Sequence, residues 1–195
     1  WIYRIMLAAL TGILTASGQI WFGFTLEKVA NAQDAAIFSS STSVQDLVEQ
    51  GRKYYEAGNF QEAERALQQA ASAFMNQGDR VIRAMIYSNL SLVYQQMGNW
   101  ENAEKYINQS LELLQSGETA ANSTNGLKVL AQSLDVLSRL QLERGEAEKA
   151  LNSWQQATDI YSKLGDENRK IRSQLNQAEA LQALGLYPRC KELLV

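Results

Sequence analysis

Ser91-Leu92-Val93-Tyr94-Gln95-Gln96-Met97-Gly98-Asn99-Trp100-Glu101-Asn102-Ala103 packs a helix end, a reversal and a second helix start into thirteen residues. Leu90, Val93, Tyr94 and Met97 recur at three- and four-residue intervals, the spacing of one helix face. Gly98 supplies the left-handed turn that ends such a helix. Outward from here the glycines act as a ruler: Gly58, Gly78, Gly98, Gly117, Gly145, Gly165 and Gly185, spaced by 20, 20, 19, 28, 20 and 20 residues. Two helices in about every 40 residues predict a solenoid of helical hairpins.

Aligning the chain on Gly58, Gly98, Gly145 and Gly185 gives a finer register. Seven residues before each stands a small residue: Gly51, Ser91, Ser138 and Ala178. Five after each stands another: Ala63, Ala103, Ala150 and Cys190. Small side chains at both places let the two helices of a hairpin cross closely. Larger groups come four before the glycine (Tyr54, Tyr94, Gln141, Leu181) and two after it (Phe60, Trp100, Ala147, Tyr187). Leu67, Ile107, Trp154 and Leu194, nine after it, are expected to fill space against the next hairpin. Trp100, Trp154 and Cys190 are all expected in the core.

This order resembles the tetratricopeptide repeat over roughly residues 44–195, which implies an all-α, right-handed superhelix of antiparallel hairpins. The repeats fall near 44–78, 79–117, 125–165 and 166–195, the fourth truncated, and 119–126 reads as an inserted loop. Met75, Gln115 and Ser162 replace the Pro that closes the usual 34-residue unit, so the period resembles the longer subclass of kinesin light chains. Leu134-Asp135-Val136-Leu137-Ser138-Arg139-Leu140-Gln141-Leu142 and Ala150-Leu151-Asn152-Ser153-Trp154-Gln155-Gln156-Ala157 are similar to the N-terminal repeats of cyanobacterial CHAT-domain proteins. That resemblance implies a downstream caspase-like domain in the same polypeptide, and hence that the chain is part of a longer protein. A stand-alone assembly scaffold is the alternative.

Composition narrows the chemistry. With no His and one Cys in 195 residues, there is no Ser/His or Cys/His pair, no His-ligated metal and no disulfide framework. The glycines never gather into a phosphate loop. A net charge of −3 argues against nucleic acid, which selects a basic face. The expectation is a binding protein without enzymatic activity, cofactor or metal.

The N-terminal stretch is a separate matter. Arg4 precedes an uncharged run, Ile5 to Phe24, and Ala30-Asn31-Ala32 follows as a small-x-small triplet, the pattern of a signal peptide cleaved near Ala32. An uncleaved membrane anchor through residues 5–24 is the other reading, since about 20 apolar residues span a bilayer. Residues 33–43, rich in Ser, read as a flexible linker. The mature chain would be exported, periplasmic or extracellular, with the membrane involved only if residues 5–24 persist.

In the resembled fold the first helix of each repeat lines a concave groove. Its candidate peptide-binding residues here are Arg52 and Tyr55; Ser88, Asn89, Leu92 and Gln95; Gln132, Asp135 and Arg139; Arg172, Asn176 and Glu179. Asn89 and Asn176 share a register suited to bonding an extended peptide backbone, and the arginines can pair with carboxylates. The competing reading is that these polar groups merely solvate a surface. Val48 and Arg52 stand where chaperone-binding relatives want Lys and Asn, so their carboxylate clamp is not carried over. The partner expected is a protein or peptide.

Overall fold

The computed structural model describes residues 35–74, 79–116 and 123–193. The leader expectation for residues 1–32 lies outside these residues, as do Gly78, Gly117 and Leu194. Eight helices and no strand occur among the described residues: α1 Ala35–Glu56, α2 Phe60–Phe74, α3 Arg80–Gln96, α4 Trp100–Gln115, α5 Thr124–Glu143, α6 Ala147–Leu164, α7 Glu167–Ala183 and α8 Tyr187–Leu193. They pair as four hairpins, α1/α2 through α7/α8, which stack through α2–α3, α4–α5 and α6–α7. No helix among the described residues is long and apolar enough to cross a membrane.

The reversals at Gly58, Gly98, Gly145, Gly165 and Gly185 have the same origin. Gly98 sits at φ 68°, where Gly98 N–H donates to Gln95 O (3.0 Å) and Asn99 N–H to Tyr94 O (2.9 Å). Those bonds satisfy carbonyls that the helix end would otherwise leave bare. After two of them a side chain starts the next helix: Asn99 accepts from Asn102 N–H (3.2 Å) and Asp166 from Arg169 N–H (3.1 Å), whereas Glu146 makes no such bond before α6. Asp79 likewise accepts from Val81 N–H at 2.9 Å to begin α3.

The small-residue crossings close as the register predicts. Ala63, Ala103 and Ala150 are fully buried, and Ser91 Oγ donates to Ala103 O at 2.8 Å, joining the two small positions of hairpin two directly. At Gly51 the approach is closer still: a Cβ there would lie 2.9 Å from Leu67 Cγ. Leu67, Ile107 and Trp154 are buried behind these crossings, each contributing roughly 1.5–3 kcal/mol by removal from water. One apolar core runs from Val44 to Tyr161, with smaller clusters about Trp154 and about Cys190.

Three expectations need correction. Helix α1 begins at Ala35, so residues 35–43 are helical rather than a flexible linker. They contain no Gly or Pro, and a helix already nucleated propagates through such a stretch. Helix α5 begins at Thr124, because Ser123 caps it by accepting from Gly126 N–H at 2.9 Å, so the insertion ends sooner than residue 126. Trp100 is 41% exposed rather than core. Its counterpart Phe60 packs edge-on to Tyr55 at 5.7 Å, but the position matching Tyr55 in hairpin two is Gln95, which turns inward to Val136 O.

Candidate functional site

The twelve candidate residues divide by hairpin. On α1, Arg52 is partly exposed and bracketed on its own helix, donating from Nε to Glu49 (2.9 Å) and from Nη1 to Glu56 (2.6 Å). The bond from Arg52 holds the Glu49 carboxyl below its usual range, against a smaller opposing effect of burial. Tyr55 is buried, and burial raises its hydroxyl pKa, with the charges of Arg139 and Glu143 on α5 acting in opposite senses. Arg139 and Glu143, near the end of α5, are therefore close enough to the end of α1 to act on Tyr55 by charge.

Helix α5 packs on α3, which decides the fate of the candidates there. Ser88, Asn89, Leu92 and Gln95 are 0%, 0%, 1% and 4% exposed, so in this conformation none of them faces a ligand. Their expected place on an open groove is corrected: α5 stacks directly on α3 and covers that face. Gln95 Nε2 donates to Ser91 Oγ (3.2 Å) and Val136 O (3.3 Å). Ser88 Oγ, both polar atoms of Asn89 and Gln95 Oε1 have no hydrogen-bond partner. Such groups cost about 1–3 kcal/mol each when buried unpaired.

Helix α5 is mixed. Gln132 is buried at 6% exposure and so also leaves the accessible set. Arg139 pairs along its own helix with Glu143 at 3.4 Å. On α7, Arg172 and Glu179 are exposed and Asn176 is partly so. Asn176 shares the register of Asn89, yet only Asn89 has a further hairpin stacked over it among the described residues. The accessible members are thus Arg52, Arg139, Arg172, Asn176 and Glu179, with Asp135 half-covered between α5 and α7.

Asp135 has partners that the repeat register does not announce. Tyr161 of α6 donates its hydroxyl to Oδ2 at 2.7 Å, and Ser173 Oγ of α7 lies 3.2 Å from Oδ1. Ser173 Oγ is also 3.1 Å from Trp154 O, which takes a second bond from Gln177 Nε2 at 3.3 Å. Burial pushes the Asp135 carboxyl up to about 7, although both hydroxyls and the charges of Arg172 and Arg169 oppose it. The one available signal was Asp135 itself, a carboxylate in the register where hairpin two has the buried Ser88.

Cys190 is buried at 8% exposure, with Gln182 Nε2 3.7 Å from its sulfur, the packing role its small-residue register predicts. Among the described residues no group of three acidic, His or Cys side chains is placed to hold a metal ion. A family model described as tetratricopeptide repeat matches residues 47–116 and 82–163. Comparison with curated proteins finds no match.

Proposed function

The chain belongs to the tetratricopeptide repeat family, whose repeats are non-catalytic protein–protein interaction modules, and from that premise we propose that it binds a protein or peptide along the exposed sides of α1, α5 and α7. One observation carries this: first-helix side chains from different hairpins act on one another. Tyr55 responds to Arg139 and Glu143, and Asp135 responds to Arg172. Side chains on different first helices are thus near enough to interact by charge. Arg52 and Arg139 already have carboxylate partners, so a ligand must compete with Glu49, Glu56 and Glu143 for them. Asn176 is free of such competition on its own helix and is the better hydrogen-bonding contact for an extended backbone.

Panning a displayed random-peptide library on the chain tests this reading. Enriched peptides should lose at least tenfold in affinity with Asn176→Ala or Glu179→Lys, about 1.4 kcal/mol or more. Gln155→Ala, on α6, serves as the control. Undiminished binding to both variants would remove the surface from consideration.

The finer reading is that this module is the recognition arm of a larger CHAT-type, caspase-like protein, exported after cleavage near Ala32. Its support is the likeness of residues 134–142 and 150–157 to the repeats of such proteins, and the leader-like pattern of residues 4–32. Reading the gene beyond codon 195 tests the first part: a domain with paired His and Cys is expected. A capping helix and stop codon would favour the assembly scaffold instead. N-terminal sequencing of the secreted protein tests the second, with Gln33 expected as the first residue.

A further inference from the structure

Counted from the marker glycines, Leu181 and Leu193 stand where hairpin two has Tyr94 and Tyr106. In hairpin two the rings of these tyrosines stack at 5.4 Å, and the Tyr94 hydroxyl reaches back to α2. It donates to Glu64 Oε1 at 2.6 Å and accepts from Gln68 Nε2 at 3.1 Å. Leucine side chains are shorter, and the counterpart of Glu64 on α6 is the apolar Leu151. A groove of about 480 Å³ lies between α6 and α8, with Leu151, Leu181 and Leu193 in its lining. We propose that it receives an aromatic side chain from a protein partner, with a basic residue beside the ring held by Glu148 and Glu192 at the rim.

The seam between hairpins two and three is spanned in another way. There the same two positions hold Gln141 and Ser153, which bond each other at 3.0 Å, and Arg144 crosses to Glu104 at 2.5 Å. The counterparts of Arg144 and Glu104 one hairpin later are Leu184 and Leu151, so that ion pair has no equivalent beside the groove. What the first seam closes with rings and the second with charges, the third leaves apolar. Leu151 and Leu193 pack against the small cluster of Ala178, Leu181 and Cys190, which backs the groove with a fixed hydrophobic floor.

Charge at the rim selects the neighbour of the ring. Glu148 on α6 and Arg189 and Glu192 on α8 are exposed there, and none makes a side-chain hydrogen bond or ion pair with a described residue. Two carboxylates against one guanidinium leave the rim negative. In hairpin two, Lys105 Nζ stands 5.6 Å from the centre of the Tyr106 ring, and the counterpart of Lys105 at the groove is Glu192. The groove therefore lacks both the ring and the cation that hairpin two supplies from its own chain. A partner that brings the two together completes the same arrangement: the ring leaves water against leucines, and the cation meets carboxylates. The site is built on second helices, with Leu181 beneath, and is separate from the first-helix surface proposed above.

Methyl NMR of the full chain tests the site, with an end-capped peptide carrying one tyrosine between two lysines as the probe. Shifts at the Leu151, Leu181 and Leu193 methyls are expected at about 1 mM peptide, the affinity range of a single anchoring side chain. Replacing the tyrosine by alanine should weaken binding about tenfold, because the buried ring is lost. Leu181→Tyr combined with Leu193→Tyr rebuilds the rings of hairpin two inside the chain and should abolish the shift at Leu151. Shifts confined to α5 and α7, no shift at all, equal binding of the alanine peptide, or undiminished binding to the filled variant would each overturn the proposal. Should the filled variant fail to fold, Glu192→Lys decides, since it alters only the exposed rim: weaker binding of the lysine-flanked peptide is expected, and unchanged binding rejects the site. Concentration-dependent shifts of the same methyls without peptide would place a second copy of the chain in the groove, which also rejects it.

Discussion

Asn89 shows what a single residue can cost. Its counterpart in hairpin three, Val136, is fully buried and apolar, whereas Asn89 is equally buried with neither polar atom paired. Replacing it by Leu removes an unpaired donor and acceptor at similar volume, so Asn89→Leu should stabilise the chain by about 1–3 kcal/mol. An increase in urea midpoint is the measurement, and a decrease would mean that a ligand or water satisfies the amide. At Gly98 the direction is reversed. Its φ of 68° is open to glycine, so Gly98→Ala should cost about 1–2 kcal/mol in the same assay, although no neighbouring atom obstructs the added methyl.

Between helices, what governs is how closely two backbones approach. In hairpin one the crossing leaves room for no side chain at Gly51, where a Cβ would already sit 2.9 Å from Leu67 Cγ. Gly51→Val should therefore overpack the α1/α2 crossing and destabilise by about 1–3 kcal/mol. In hairpin two the same position is Ser91, whose hydroxyl bonds Ala103 O and so makes the crossing polar as well as tight. Behind it, Ile107 is fully buried on α4, and Ile107→Ala should cost about 2–5 kcal/mol. Circular-dichroism unfolding of both variants checks the pair. These crossings were legible beforehand, because small residues at fixed offsets from a glycine are a property of the chain itself. Trp100 was not legible: its burial hangs on an aromatic neighbour that Gln95 does not provide.

At the scale of the whole molecule, pH acts through the seam between hairpins. The folded carboxyl of Asp135 titrates near 7 against an ordinary value of 3.8, so between these values the folded chain holds a proton that the unfolded chain has lost. Stability should fall as pH rises from about 4 to about 7 and then level off. Measured as urea midpoints at pH 5 and pH 8, the natural chain should lose stability relative to Asp135→Asn, whose neutral amide does not titrate. Glu49 and Glu146 shift the other way, but they lie at the surface and are common to both proteins, so the comparison isolates Asp135. The sequence by itself determined the period, the four hairpins, their reversals and their close crossings, since all of these rest on residues near one another along the chain. Only the tertiary structure decided that α5 covers the candidate face of α3, and that Asp135 meets Tyr161 and Ser173, which lie 26 and 38 positions away. The physical reason is that burial and proton affinity depend on which helix stacks on which, and a repeat register gives every hairpin the same pattern without saying which neighbours will cover it.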